Sequence, residues 1–181
     1  YVFDSHEYFT EVPELVDRPF VQKIWKSLER FLVPRTKYML TVNKAIAEIF
    51  DEEYGIMPSI LMNLPVSEKR DLQATAVNLP ENFTAKKIII YQGAVNIGRG
   101  LEQMIEALPL LPDHVLLVVG DGDILNELKN KVQNANLCEK VYFTGSLDMR
   151  ELPALTALAT VGMSLEQDLG LNYRLALPNK L

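Results

Sequence analysis

The sequence predicts an α/β fold in which a parallel sheet is covered by helices on both faces, and three observations lead to this class. Short apolar segments, such as residues 88–91, alternate with longer amphipathic segments after residue 86. The apolar segments are continuous, which is typical of strands buried on both sides. Strict strand–helix alternation indicates parallel strands joined by crossover helices. The predicted order is strand 87–92, helix 99–109, strand 115–119, helix 123–134, strand 140–143, helix 149–158 and strand 160–164.

The part of the chain before residue 66 carries a shorter set of elements, which we interpret as part of a second α/β domain. A long amphipathic helix is predicted over 13–34, because apolar side chains recur there every three or four positions. Trp25 follows that spacing, so we expect it in a core. The other predicted elements are a strand ending at 1–4, strand 38–42, a helix at 44–53 between the N-cap candidate Asn43 and the C-terminal Gly55, and strand 60–64.

Residues 66–85 are interpreted as a linker between two domains. They contain Pro80 and a charge cluster and show little hydrophobic periodicity. This interpretation places a partial N-terminal domain at 1–65 and a truncated C-terminal domain at 86–181. Because both ends of the chain cut through predicted elements, we expect a fragment of a longer protein.

Composition and charge narrow the functional classes. The 181 residues are 48% hydrophobic, which is ordinary for a globular protein, and a net charge of −6 without a basic stripe argues against nucleic-acid binding. Cys138 is the one cysteine, and no apolar run reaches the roughly 18 residues of a membrane helix. These features favour a cytoplasmic protein. Cys138, His6 and His114 do not have the spacing of a metal site, so we expect no metal.

A glycine-rich loop after the predicted strand 87–92 is the main candidate for ligand binding. It runs from Gly93 to Gly100, with Gly98 and Arg99 at the start of a helix. Such a loop presents backbone N–H groups to a phosphate or diphosphate. It is not a P-loop, because Arg and Gly replace the Lys and the hydroxyl residue, and it lacks the second glycine of the dinucleotide fingerprint. The alternative is a tight turn with a solvated arginine, although a cation there opposes the helix dipole.

Four loops follow the carboxyl ends of the predicted parallel strands, where ligands of such sheets bind. They contain Gly93, Asp121, residues 143–145 and residues 166–168. Each also has an ordinary structural interpretation. Asp121 between two glycines favours a turn, Phe143 suits a partly buried core position, and carboxylates in such loops are mostly solvated.

Five short motifs occur in a consistent order: YQG at 91–93, GRGL at 98–101, VVGDG at 118–122, VYFTG at 141–145 and ELPAL at 151–155. In this order they resemble the C-terminal domain of the group 1 glycosyltransferases, which are retaining enzymes of the GT-B fold with Rossmann-like domains and nucleotide-sugar donors. The N-terminal part is similar to the same family through DSHE at 4–7, WKSLER at 25–30 and VN at 42–43.

The resemblance implies roles for individual residues. Arg99 matches a basic position that contacts the donor diphosphate, whereas a second basic position of the family is Ala94 here. Glu166 lies near the first of two donor-binding glutamates, but Arg174 stands eight residues on, so the second would lie beyond the end of this chain. His6 matches a histidine that faces the acceptor cleft. The implied catalytic residues are His6 and Glu166, and the implied nucleotide-binding residues are Gly93, Gly98, Arg99, Asp121, Phe143 and Asp168.

The implied reaction is a hexosyltransferase-like transfer of a sugar from a UDP- or GDP-sugar to an acceptor hydroxyl, with retention of configuration. No cofactor is expected besides this donor substrate. The acceptor is expected to be a carbohydrate or a lipid-linked molecule, with peripheral membrane association of the full-length protein, and the fragment alone is expected to be inactive. Two alternatives stay open: a sugar-nucleotide epimerase of the same architecture, and a non-catalytic α/β binding module, which Ala94 and the missing second glutamate favour.

Overall fold

A computed structural model describes residues 1–64 and 79–176, which divide into two compact units. Unit 1 contains residues 1–64 and 168–176, and unit 2 contains residues 79–167. Most of the predicted linker, residues 66–78, and the segment 177–181 lie outside the described residues. In chain order the elements are β1 Val2–Ser5, α1 Pro13–Val16, α2 Pro19–Leu32, β2 Tyr38–Thr41, α3 Lys44–Tyr54, β3 Ser59–Ile60, α4 Glu81–Thr84, β4 Lys87–Gln92, α5 Leu101–Ala107, β5 His114–Val119, α6 Leu125–Asn134, β6 Val141–Gly145, α7 Leu152–Leu158, β7 Val161–Met163 and α8 Leu171–Leu175.

Unit 2 contains a four-stranded sheet with the order β6-β5-β4-β7, and all neighbouring strands pair in parallel. In the central register, Ile89 pairs with Leu116 on one side and with Val161 on the other. The parallel α/β sheet and its four strands predicted from the sequence are therefore confirmed.

Both faces of this sheet are covered, which explains the continuous apolar strands. Side chains of β4 and β5 alternate between two hydrophobic clusters, with Ile89 and Leu116 in one and Ile88 and Leu117 in the other. The first cluster also contains the apolar faces of α5 and α6, and the second contains Leu155 of α7. Every core side chain of the two central strands is thus buried, whichever way it points.

The described part of the predicted linker packs into unit 2. Phe83 of α4 is buried in the second cluster, and its ring contacts Tyr142 edge-on at a centroid distance of 5.9 Å. Leu79 packs against the same cluster. Residues 79–84 therefore pack as part of unit 2, directly before β4.

Unit 1 contains a three-stranded parallel sheet with the order β1-β2-β3. Helix α3 starts and ends as the sequence predicts: the side chain of Asn43 accepts a hydrogen bond from the N–H of Ile46, and Gly55 adopts a left-handed conformation with φ of 67°. Tyr8, Met39 and Phe50 lie in the core of this unit, together with Val33 and Ile46.

The single long helix predicted over 13–34 is wrong. The structure has two helices, α1 and α2, and the second begins at Pro19. Proline lacks an N–H and has a fixed φ, so it suits the first turn of a helix and interrupts one that is already running. The core position expected for Trp25 is also wrong, because this residue is 42% exposed and its ring contacts Phe9 edge-on.

Helix α8 belongs to unit 1, although the sequence interpretation placed residues 86–181 in one domain. Leu171 and Leu175 pack against the core of unit 1. Asn43 donates from Nδ2 to the carbonyl oxygen of Leu175 at 2.7 Å. Across both units, no helix within the described ranges has the length and apolar character needed to cross a membrane.

Candidate nucleotide-sugar site

The carboxyl ends of β4, β5 and β6 are held together through glycine backbone. Gly93 donates its N–H to the carbonyl oxygen of Val119, and Gly120 donates its N–H to that of Gly145, both at 2.9 Å. A Cβ on Gly120 would lie 1.9 Å from the carbonyl oxygen of Gly93, so only glycine permits this approach. Three of the loops predicted to share one edge of the sheet, those after β4, β5 and β6, therefore do so.

A cavity of about 250 Å³ opens at this edge of unit 2. Its walls combine glycine backbone with small or apolar side chains, and among the described residues Asp121 is the one ionisable residue that lines it. This volume is below the roughly 300–1,000 Å³ of most small-molecule sites, so the cavity has room for only part of a nucleotide-sized ligand. The lining residues are Gln92, Gly93, Ala94, Val119, Gly120, Asp121, Ser146, Leu147 and Leu152.

Asp121 also has the turn-forming role that the sequence left open. Its carboxylate accepts a hydrogen bond from the N–H of Gly122 at 2.8 Å, and its carbonyl oxygen accepts one from the N–H of Val95 at 2.9 Å. These bonds join the loop after β5 to the glycine loop. A contact of Asp121 with a nucleotide stays a prediction.

Two predicted site residues, Arg99 and Glu166, form an ion pair on the other side of β4. Arg99 Nη1 lies 3.3 Å from Glu166 Oε1, and the side chains are 26% and 12% exposed. The second carboxylate oxygen of Glu166 accepts a hydrogen bond from Ser164 Oγ at 2.8 Å. The carboxylate thus connects the end of β7 to the start of α5.

Backbone contacts join the same two segments. The N–H of Gln167 donates to the carbonyl oxygen of Gly98 at 2.8 Å. Gly100 has a φ of 72°, and a Cβ there would lie 2.5 Å from the carbonyl oxygen of Leu165. The glycine loop therefore packs tightly against the segment after β7, which requires glycine at position 100.

The remaining predicted residue of unit 2, Phe143, lies on β6. It is partly buried and packs against the first hydrophobic cluster, as its core interpretation expects. It is not among the residues that line the cavity. A stacking role of its ring stays a prediction.

The other two predicted residues, His6 and Asp168, lie in unit 1. His6 follows β1, its side chain is 70% exposed, and Nε2 is 3.0 Å from Asp4 Oδ2. Asp168 accepts a hydrogen bond from Arg174 Nε at 2.6 Å, and this bond holds the pKa of the Asp168 carboxyl below its usual range. Arg174, which stands eight residues after Glu166, is thus the partner of another predicted residue.

His6 also lines a larger cavity of about 420 Å³ in unit 1. Its walls are mostly aromatic and aliphatic, with Phe3, Phe9, Trp25, Leu28 and Leu32 among them. No Lys or Arg of the described residues lines it, so the chemistry of this cavity does not suit a phosphate group.

The sequence interpretation missed several residues of the candidate site. Ser164 stands two positions before Glu166, and its place at the end of a predicted strand was the available signal. Leu147 and Leu152 reach the cavity from the segment after β6, and only the fold brings them there. Within residues 1–64 and 79–176, no group of three or more His, Cys, Asp or Glu side chains could hold a metal ion.

Comparisons with known proteins address the family. Residues 77–165 match the model of the family described as glycosyl transferases group 1. A GDP-mannose-dependent alpha-(1-6)-phosphatidylinositol monomannoside mannosyltransferase from Mycolicibacterium smegmatis is 37% identical over 67 residues. These residues are 35% of this chain and 18% of that protein.

Solved structures of glycosyltransferases share the fold. HepE of Anabaena, in complex with UDP and glucose, gives a TM-score of 0.67 at 16% identity over 91% of this chain and 46% of its own. Sucrose-phosphate synthase from Thermosynechococcus elongatus gives a TM-score of 0.55 at 21% identity, over 75% of this chain and 36% of the synthase. TarM of S. aureus, in a complex containing UDP, gives a TM-score of 0.58 at 12% identity, over 74% of this chain and 26% of TarM.

This chain spans less than half the length of each of these relatives. At these identities the structural likeness shows a GT-B type fold, which confirms the fold class expected from the resemblance. The family match covers nearly all of the described part of unit 2. Through residues 77–165, the chain matches the group 1 glycosyltransferases, and the mannosyltransferase relative and the GT-B structures support the same family.

Proposed function

We propose that unit 2 binds the nucleoside diphosphate part of a sugar donor, in an enzyme that transfers the sugar to an acceptor hydroxyl with retention of configuration. The observation that carries this proposal is the glycine-lined cavity at the carboxyl edge of the parallel sheet. Ligands of open parallel sheets bind at this edge.

The strand order supports one orientation of the donor. The cavity lies at the ends of β4 and β5 and is lined from the segment after β6, whereas Arg99 and Glu166 lie between the glycine loop and the end of β7. The nucleoside would occupy the cavity, and the diphosphate and sugar would extend along the glycine loop toward Arg99.

Arg99 has the chemistry that the leaving group requires. Breaking the bond between the anomeric carbon and the phosphate oxygen leaves negative charge on the diphosphate, and a preorganised cation stabilises that charge. A guanidinium has several N–H donors in a planar fork, so contact with Glu166 is compatible with contact to a phosphate. Ala94 supplies no second cation, so Arg99 would carry this role in unit 2.

The relatives suggest which donors and acceptors to test. The mycobacterial relative is named as GDP-mannose-dependent and acts on a lipid-linked mannoside, and HepE is seen with UDP and glucose. We therefore propose a UDP- or GDP-sugar as the donor and a carbohydrate or lipid-linked acceptor. The role of His6 toward the sugar rests on the family resemblance.

The test is calorimetric titration of the 181-residue chain with UDP and with GDP. A charge-assisted contact contributes about 1.5–3 kcal/mol, so Arg99→Ala should lower the affinity for the preferred nucleotide about 10- to 150-fold. Arg99→Lys should recover part of it, because lysine keeps the charge but loses the fork.

The control is Arg18→Ala, which removes an exposed arginine of unit 1 and should leave nucleotide affinity unchanged. Melting curves of all variants establish that they are folded. If the wild-type chain binds neither UDP nor GDP, or if folded Arg99→Ala binds as well as wild type, the proposed donor site is wrong.

A further inference from the structure

Ser164, Glu166 and Arg99 are linked by polar side-chain contacts at the end of β7. Ser164 Oγ donates to one carboxylate oxygen of Glu166, and Arg99 Nη1 lies 3.3 Å from the other. Arg99 and Glu166 are 67 positions apart in the sequence. Both oxygens of the carboxylate therefore have fixed partners, one on β7's loop and one on the glycine loop.

We propose that Ser164 and Glu166 are positioning residues that orient the Arg99 guanidinium for the donor diphosphate. The proposal rests on the proposed function, because it assigns to these residues an effect on the same ligand through Arg99. It differs from the role that the family resemblance implies for Glu166, which is direct contact with the donor sugar.

The geometry distinguishes orientation from capture. One Arg99 nitrogen faces Glu166 at 3.3 Å, which is longer than the roughly 2.7–2.9 Å of a strong charge-assisted bond. A contact of this length is weaker than a strong charge-assisted bond, so it orients the guanidinium and is compatible with shorter contacts from Arg99 to a diphosphate.

Because the Arg99–Glu166 pair is partly buried, we expect this contact to affect the binding of a diphosphate. Glu166 is 12% exposed and Arg99 is 26% exposed, so solvent screens their interaction less than that of a surface pair. An arginine held by a fixed carboxylate has less side-chain freedom to lose when a ligand binds. Immobilising one such side chain costs about 0.5–1.5 kcal/mol, which corresponds to about a 2- to 12-fold change in affinity.

Backbone contacts between the two loops fix the positions of Ser164, Glu166 and Arg99 relative to one another. The bond from the N–H of Gln167 to the carbonyl oxygen of Gly98 and the close approach of Gly100 to Leu165 place the two loops against each other. Ser164 and Arg99 are thereby held at opposite ends of the Glu166 carboxylate. Loss of the Ser164 hydroxyl should remove one of the bonds that hold this carboxylate, without removing the charge of Glu166 or Arg99.

The experiment is titration of the 181-residue chain with the preferred nucleoside diphosphate and with the matching nucleoside, which lacks phosphate. Ser164→Ala and Glu166→Gln should each weaken diphosphate binding about 2- to 12-fold and leave nucleoside binding unchanged. Ser164→Thr, which restores a hydroxyl, should recover affinity. Ser27→Ala, which removes an exposed hydroxyl on α2, is the matched control.

A double-mutant cycle tests whether the effect passes through Arg99. In an Arg99→Ala background, Ser164→Ala and Glu166→Gln should change diphosphate affinity less than about 2-fold, because the residue they position is gone. Full additivity with Arg99→Ala, unchanged affinity in the single variants, or tighter diphosphate binding by Glu166→Gln would each overturn the positioning role. The last outcome would mean that Glu166 competes with phosphate for Arg99.

The two proposals fail in different ways. Suppose that wild type binds the nucleotide and Arg99→Ala weakens binding, while Ser164→Ala and Glu166→Gln bind like wild type. The donor site then stands and the positioning role is wrong. If wild type binds neither nucleotide, the proposed function itself is wrong. Melting temperatures of Ser164→Ala and Glu166→Gln separate a binding effect from general loss of structure.

Discussion

The side-chain oxygen of Asn172 accepts a hydrogen bond from the backbone N–H of Tyr8 at 2.9 Å, across 164 positions of sequence. Asn172 also donates from Nδ2 to Glu7 Oε2 at 3.3 Å, and it is 9% exposed. One buried amide thus holds α8 to the segment that directly follows His6. This contact attaches α8, which lies near the end of the described chain, to the N-terminal part of unit 1.

Replacing Asn172 should destabilise unit 1. Asn172→Ala leaves the buried N–H of Tyr8 without this acceptor, and an unsatisfied buried donor costs about 1–3 kcal/mol. Trp25, the one tryptophan of the chain, lies in unit 1, so its fluorescence during urea unfolding reports on this unit. Asn130→Ala, on an exposed position of α6, should leave the midpoint unchanged. Equal midpoints for both variants would show that the Asn172 bond contributes nothing.

Two glycines of unit 2 should respond very differently to substitution by alanine. Gly145 has a φ of 73° but open space around its Cβ position, so Gly145→Ala should cost only the conformational strain of about 1–2 kcal/mol. Gly120→Ala adds a clash with backbone, because the Cβ would lie 1.9 Å from the carbonyl oxygen of Gly93. It should therefore lower the melting temperature much further and abolish nucleotide binding. Similar melting temperatures would contradict the tight packing of the two loops.

The stability of unit 1 should decrease as pH rises, because of Glu29. Burial, reinforced by the charge of Glu53, raises the pKa of the Glu29 carboxyl above its ordinary value of 4.5. Between the unfolded and the folded pKa, the folded state keeps a proton that the unfolded state has released. Stability is therefore fully present below the unfolded pKa and is lost as pH rises through the folded pKa.

Glu29→Gln should remove this dependence, since the amide does not titrate. The variant should be more stable than wild type at about pH 8, with a smaller difference at about pH 5. Urea midpoints measured by Trp25 fluorescence across this range provide the comparison. Glu14→Gln, at an exposed position of α1, should follow the wild-type profile. A difference between Glu29→Gln and wild type that does not vary with pH would refute the burial effect.

The parallel sheet of unit 2 could be predicted because its strands carry the strongest local signal. Side chains of β4 and β5 are buried on both faces, so nearly every residue is apolar, and the intervening helices have one apolar face each. Helix boundaries were less accurate, since α5 begins at Leu101 and α7 at Leu152, later than predicted. First turns of helices have no complete hydrogen-bond pattern that a sequence could reveal.

Unit 1 was harder to predict from periodicity. The apolar spacing over 13–34 is helical, but it does not show that Pro19 divides the segment or that Trp25 stays partly exposed. Amphipathic spacing identifies a face and does not identify what that face contacts. The cap at Asn43 and the turn at Gly55 were predictable because both depend on adjacent backbone alone.

The sequence by itself determined the class of fold, the positions of the four strands along the chain and the edge at which the glycine loops meet. It also identified Gly93, Arg99 and Glu166 as candidates, because these properties follow from local hydrophobic pattern and from the common direction of parallel strands. Only the tertiary structure decided that Arg99 pairs with Glu166, that Ser164 holds the same carboxylate, and that Asn172 joins the segment after His6. Those contacts join residues from separate loops, and side-chain distances across a fold depend on the packing of all the elements between them.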